Sequence, residues 1–233
     1  MVPWMDGIRA YPGFSDWKRK AIARIIDYGE RTSIEEKKPS EKEFKFPPDI
    51  ERQHAAMMSY LSLSVTHNAM AATEFYFRRY PFQSLPVTRE EHLRYTCETF
   101  FSRIYEFSER MKRCLNNLNE VIDGQVNVGG IIKEFATDFK QELIARNQIH
   151  HHERFDEIQL NKVGWLENVA NSDKRQDKDR GWMTETRIAY RRASLEWAAR
   201  AKRRSERAGI YLDAVAKAYL DYATFLHPSE RES

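Results

Sequence analysis

The sequence predicts an all-α protein, an antiparallel bundle of long helices with an extra N-terminal helix. Three observations carry that prediction: apolar residues recur at spacings of three and four, only nine Gly and eight Pro punctuate 233 residues, and little reads as strand. A chain of this length removes roughly 70% of its unfolded surface from water, enough for one large core without covalent staples.

The first helix is expected after Ser15, a suitable N-cap, with Trp17, Ala21, Ile22, Ile25 and Ile26 on one side and an end near Gly29 to Arg31. Glu35, Glu36, Lys37, Lys38 and three prolines then supply no apolar face, so residues 1–48 read as a helix followed by a charged linker. From Asp49 to about Tyr80 the helical rhythm is kept by Ala55, Met58, Leu61, Val65, Ala69, Ala72 and Phe75 or Tyr76, until Pro81 and Pro86. Thr88 with Glu91 three residues later has the form of a capping box. The helix it opens carries Leu93, Cys97, Phe100, Phe101, Ile104, Phe107, Met111, Leu115 and Leu118, and ends at Asp123 and Gly124. Gly129 and Gly130 are placed in the following loop, and a helix from about Ile131 carries Ile132, Phe135, Phe139, Leu143 and Ile144. A connection through Trp165 and the charged stretch Asp173 to Arg180 leads to a final helix from about Met183 to Phe225. The bundle is thus expected over residues 49–227, with a tail at 228–233.

Composition narrows the function classes. A net charge of +3 does not identify a nucleic-acid binder. Residues 1–10 hold no basic segment followed by an apolar run, and no stretch approaches the roughly 20 apolar residues of a membrane span. Cys97 and Cys114 fall in one expected helix, about 25 Å apart by the rise per residue, so they serve packing and cannot bridge. A reduced, cytoplasmic protein is expected, without membrane association. No metal or other cofactor is expected either. His152 and Glu153 begin an H-E-x-x-H pattern, but Asp156 stands where the second His is needed; Glu51 and His54 form one E-x-x-H where a di-metal bundle needs two.

The informative segment follows Ile144, where the apolar pattern gives way to Arg146, Asn147, Gln148, Ile149 and the run His150, His151, His152. A permanent cation, an amide and several imidazoles within seven residues suit phosphate chemistry. A guanidinium binds phosphate oxygens and neutralises developing charge, while an imidazole moves a proton to or from an attacking or leaving oxygen.

Written R-N-x-x-x-H from Arg146 to His151, this segment resembles the signature of the HEPN superfamily of all-helical proteins; His152 also meets the spacing. The resemblance implies a HEPN-like bundle and a metal-independent endoribonuclease, in which Arg146 binds the scissile phosphate, Asn147 positions it, and His151 or His152 assists attack by the RNA 2′-hydroxyl. It also implies a toxin or phage-defence role, with an antitoxin or other protein as partner. On an unbroken helix, residues five apart point about 140° apart. Either the helix breaks near Gln148, or two chains complete the site; the resemblance favours the homodimer.

Competing readings of the same residues remain open. Arg146 could pair with Glu142 one turn earlier, leaving the histidines as a solvated helix end. A catalytically silent HEPN-like module for nucleotide, nucleic acid or protein would share the fold. The last helix concentrates arginines, of which Arg191, Arg192, Arg203 and Arg204 are candidate RNA-backbone contacts, set against a solvated charged face. Tyr190, Trp197, Tyr211, Tyr219 and Tyr222 are assigned to packing, and the Phe75 to Tyr80 cluster to helix capping beside core aromatics.

Overall fold

The computed structural model describes residues 19, 23, 48–79, 87–122, 126–151, 154–172 and 180–223. Helices α1 (Pro48–Arg78), α2 (Arg89–Asn119), α3 (Val128–Asp138), α4 (Lys140–His150), α5 (Ile158–Ser172) and α6 (Arg180–Tyr222) form a bundle, with no strand among the described residues. No described helix is long and apolar enough to cross a membrane. The expected N-terminal helix and linker lie outside the described residues except Arg19 and Ala23, both helical and exposed, and Pro48, which opens α1; the tail at 228–233 lies outside entirely.

Side-chain to backbone bonds fix the helix directions. Asn117 of α2 donates to Ala55 O, Arg110 to Ser62 O, and His92 meets Tyr76 O, so α1 and α2 are antiparallel. Tyr219 of α6 donates to Ala56 O, His67 meets Ser205 O, and Ser194 donates to Phe77 O, so α6 also runs antiparallel to α1. The start of α1 and the end of α6 therefore lie side by side. Helices α2 and α6 form the middle of the molecule, with α1 on one side and α3, α4 and α5 on the other.

The capping box at α2 is present: Thr88 Oγ1 accepts from Glu91 N–H at 3.1 Å, and Glu91 accepts from Thr88 N–H at 2.8 Å. The aromatic stripe of α2 packs as its spacing predicts, with Phe100, Phe101, Ile104, Phe107 and Met111 essentially inaccessible. Phe101 meets Trp197 edge-on, and Phe107 stacks on Phe135.

In α1 the predicted face is turned outward. The buried stripe is Ala56, Ser59, Leu63, Thr66, Met70, Thr73 and Phe77, whereas Met58, Val65, Phe75 and Tyr76 are at least half exposed. Three hydroxyl residues disguise the inner stripe. Ser59, Thr66 and Thr73 donate to Ala56 O, Ser62 O and Ala69 O, so their polar atoms are satisfied within the helix and they pack as small residues.

Helix α2 ends at Asn119, short of the expected Asp123 and Gly124, and three further boundaries differ from expectation. Gly129 and Gly130 form the first turn of α3 rather than a loop. Asn127 caps that turn by accepting from Gly130 N–H at 2.9 Å, and a Cβ at 130 would lie 2.6 Å from Asn127 Nδ2. Second, Phe139 divides the expected single helix into α3 and α4. Arg204 Nη2 takes Asp138 O at 2.6 Å, which diverts a carbonyl from the helical ladder. Third, residues 158–172 are a helix, not a connection. Glu157 accepts from Gln159 and Leu160 N–H, and Leu160, Val163 and Leu166 are buried.

Candidate functional site

Helix α4 is unbroken through His150, and His151 is its C-cap, donating its N–H to Asn147 O and Gln148 O. Of the two alternatives, a helix break near Gln148 or a site completed by two chains, the first is absent, because the helix continues to His150. Glu142, Arg146 and His150, four apart, therefore follow one stripe about 40° apart in direction, while His151 points about 140° from Arg146. Within one chain it is His150, not His151, that shares the face of Arg146. His150 and His151 are exposed with ring centroids 6.0 Å apart, and no hydrogen bond links either to Arg146 among the described residues. His152 lies outside the described residues.

Arg146 is half-buried against α2, with its guanidinium carbon 3.8 Å from the centroid of the Tyr105 ring and its Nη1 donating to Asn147 Oδ1 at 3.2 Å. Stacking on a ring face fixes the guanidinium plane without cancelling its charge. The carboxylate one turn earlier is not its partner. Glu142 is 1% exposed and accepts from Arg200 Nη2 and Arg204 Nε, each at 2.9 Å, and from Arg204 Nη2. Burial works against its charged form, but the hydrogen bonds from Arg204 and Arg200 outweigh it and hold the carboxyl below its ordinary value. Asp138 extends the network: hydrogen bonds from Tyr211 and then Arg207 lower its carboxyl, and burial with the Asp138 bond raises the Tyr211 hydroxyl.

The turn carrying the histidines is held on its far side as well. Arg154 Nη2 donates to both Glu90 oxygens at 2.9 and 3.0 Å, and Phe155 meets Phe101 and Trp197 edge-on at 5.0 and 5.8 Å. Glu90 also binds Arg94, so its single negative charge is shared between two guanidiniums. Sequence reasoning did not find Tyr105, Arg154, Phe155 or Glu90. Only the placement of Phe155 beside the histidine run offered a signal, as an aromatic anchor in a polar stretch.

The four candidate arginines of α6 do not form one surface. Arg204 is committed to Glu142 and Asp138 O, with its guanidinium over Phe139. Arg191 and Arg203 are exposed but point about 120° apart on the helix. Arg192 shares the direction of Arg203 and pairs with Glu196 at 3.0 Å.

No group of three or more His, Cys, Asp or Glu residues that could hold a metal occurs among the described residues. A groove of about 180 Å³ between α2, α3 and α6, lined by Leu115, Ile131, Glu134, Arg207, Tyr211 and Val215, contains none of the predicted site residues. Cys97 and Cys114 are buried as expected for packing, and burial pushes both thiols up. In comparisons with known proteins, no family model, curated protein or solved structure matches the chain.

Proposed function

We propose that the protein is a HEPN-type endoribonuclease that cleaves RNA without a metal. One observation carries the proposal: the charge of Arg146 is stacked on Tyr105 rather than cancelled by Glu142, beside an amide and exposed imidazoles. In the reaction, a histidine takes the proton of the RNA 2′-hydroxyl as that oxygen attacks phosphorus. The P–O5′ bond breaks, and the departing oxygen takes up a proton, leaving a 2′,3′-cyclic phosphate and a 5′-hydroxyl end. Arg146 neutralises charge on the non-bridging oxygens, and Asn147 orients Arg146 through Nη1. DNA, which lacks the internal nucleophile, is not a substrate.

The directions on α4 set a condition on this reading. Either His150 moves the proton within one chain, or a second copy brings its His151 to Arg146. Cleavage of mixed RNA in excess chelator, by wild type and by Arg146→Ala, His150→Ala and His151→Ala, tests both. The expected result is chelator-resistant cleavage, lost in Arg146→Ala and in one histidine variant. If the lost variant is His151→Ala, mixing it with Arg146→Ala restores activity through shared sites. No cleavage by folded wild type, or cleavage unchanged in Arg146→Ala, refutes the ribonuclease.

A silent module that binds nucleotide, nucleic acid or protein is the second reading. The divergence of Arg146 and His151 on an unbroken helix favours it.

A further inference from the structure

Of the eleven residues of α3 only Phe135 is buried, and Ile131 is covered half-way. Beside Ile131 lies the groove of about 180 Å³, whose α6 wall is open: Ala214 is exposed and Ile210 is 56% exposed. The groove follows α6 from Arg207 to Ala218, eleven residues or about 16 Å. Phe135 meets Tyr211 at 5.2 Å and Asp138 pairs with Arg207, so α3 runs against α6 and Ile131 lies toward the Ala218 end. That end is apolar. The other end holds Glu134, close enough to Tyr211 to raise its hydroxyl, yet without a hydrogen bond or ion pair among the described residues. Arg207, at the same end, is committed to Asp138. The occupant that fits is apolar at the Ala218 end and cationic at the Glu134 end.

The chain that leaves α6 has this order. Helix α6 ends at Tyr222, one turn past Ala218, and Phe225 and Leu226 follow at once, with Arg231 five residues after Leu226. Pro228 bars a helix from running on through it. Extended, the five residues from Leu226 to Arg231 span about 17 Å, the length of the groove. A chain that turns back after Ala223 therefore lays Phe225 and Leu226 against Ala218 and Ile131 and carries Arg231 to Glu134. Tethered at the mouth of the groove, this segment has an effective concentration that a free ligand of the same chemistry must overcome.

We propose that residues 224–231 fold back along α6 and fill the groove, with Phe225 and Leu226 at its apolar end and Arg231 on Glu134. The inference does not use the ribonuclease reading. It gives α3, whose continuation α4 carries Arg146, the cover that it lacks on its α6 side.

The test is the rate at which a maleimide labels Leu226→Cys in the otherwise full chain, where the native thiols Cys97 and Cys114 are buried. The thiol is expected to react at least about ten-fold slower than in the same chain carrying Ala214→Arg, which fills the groove from an exposed position, with the circular dichroism unchanged. Phe225→Ser, which removes the anchor from the other side, is expected to speed labelling about as much. Glu134→Arg is expected to speed it about three-fold, and adding Arg231→Glu to slow it again. Labelling at the rate of a free thiol overturns the proposal and leaves the groove to another occupant. So does a slow rate indifferent to both Ala214→Arg and Phe225→Ser, or one that the charge exchange fails to restore.

Discussion

The separation of Arg146 from Glu142 can be tested by double-mutant cycles on stability. Glu142→Gln keeps the shape of the side chain but removes the charge that two guanidiniums share. Removing one partner of a fully buried ion pair costs about 3–5 kcal/mol. Here the Arg200 and Arg204 side chains are 34% and 25% exposed, and water takes up part of the loss, so about 2–3 kcal/mol is expected. For a chain of this size that lowers the thermal midpoint by about 4–12 °C. The decisive quantity is the coupling. Glu142→Gln with Arg204→Gln should couple by about 1–3 kcal/mol, whereas Glu142→Gln with Arg146→Ala should add within about 0.5 kcal/mol. Urea unfolding of the six proteins, wild type, three single and two double variants, measures both. A coupling to Arg146 as large as that to Arg204 would refute the reasoning that the arginine's charge is left for a ligand.

The same carboxylates predict an acid limb. Glu142 and Asp138 are held below their ordinary values, so their stabilisation is complete above the ordinary carboxylate range, near pH 4, and is lost as pH falls through their lowered native values. Unfolding followed from pH 5 to pH 2 should show a shallower loss in Glu142→Gln and Asp138→Asn than in wild type. In α5, Gly164→Ala should destabilise by about 1 kcal/mol even though alanine gains about as much in helix propensity. The added Cβ would lie 2.9 Å from Glu90 Cγ, and Glu90 is pinned by Arg94 and Arg154. A higher melting temperature for this variant would refute that account.

How far the sequence exposes this structure depends on where each cause lies. Helix α2 was legible at its start and along its buried face because those signals are local, a capping box at Thr88 and large aromatics at helical spacing, but its end at Asn119 was not. Helix α1 was legible as a helix but not in its orientation. Met58 and Val65 carry more apolar surface than Ser59 and Thr66, yet the hydroxyl residues face the core because their donors bond back to the preceding turn. The interruption at Phe139 has its cause 65 residues away in Arg204, which no local pattern contains. At the candidate site the motif was visible and its surroundings were not. Spacing made Glu142 the natural partner of Arg146, but two arginines of α6 offer it three donors, and the Tyr105 ring is left to hold Arg146.

The antiparallel run of α1 against α6 makes chain order separable from packing. Tyr219 touches Ala56, so Pro48 and Ala223 lie about two turns and about one turn past a shared contact, on helices whose axes are about 10 Å apart. A short polar join between them, with new ends opened at residues 173–179 between α5 and α6, would permute the sequence while every hydrogen bond described among the six helices stayed in place. Such a circular permutant would begin with α6, the longest helix. It would present Arg200 and Arg204 to the growing fold before Glu142 existed, rather than long after it.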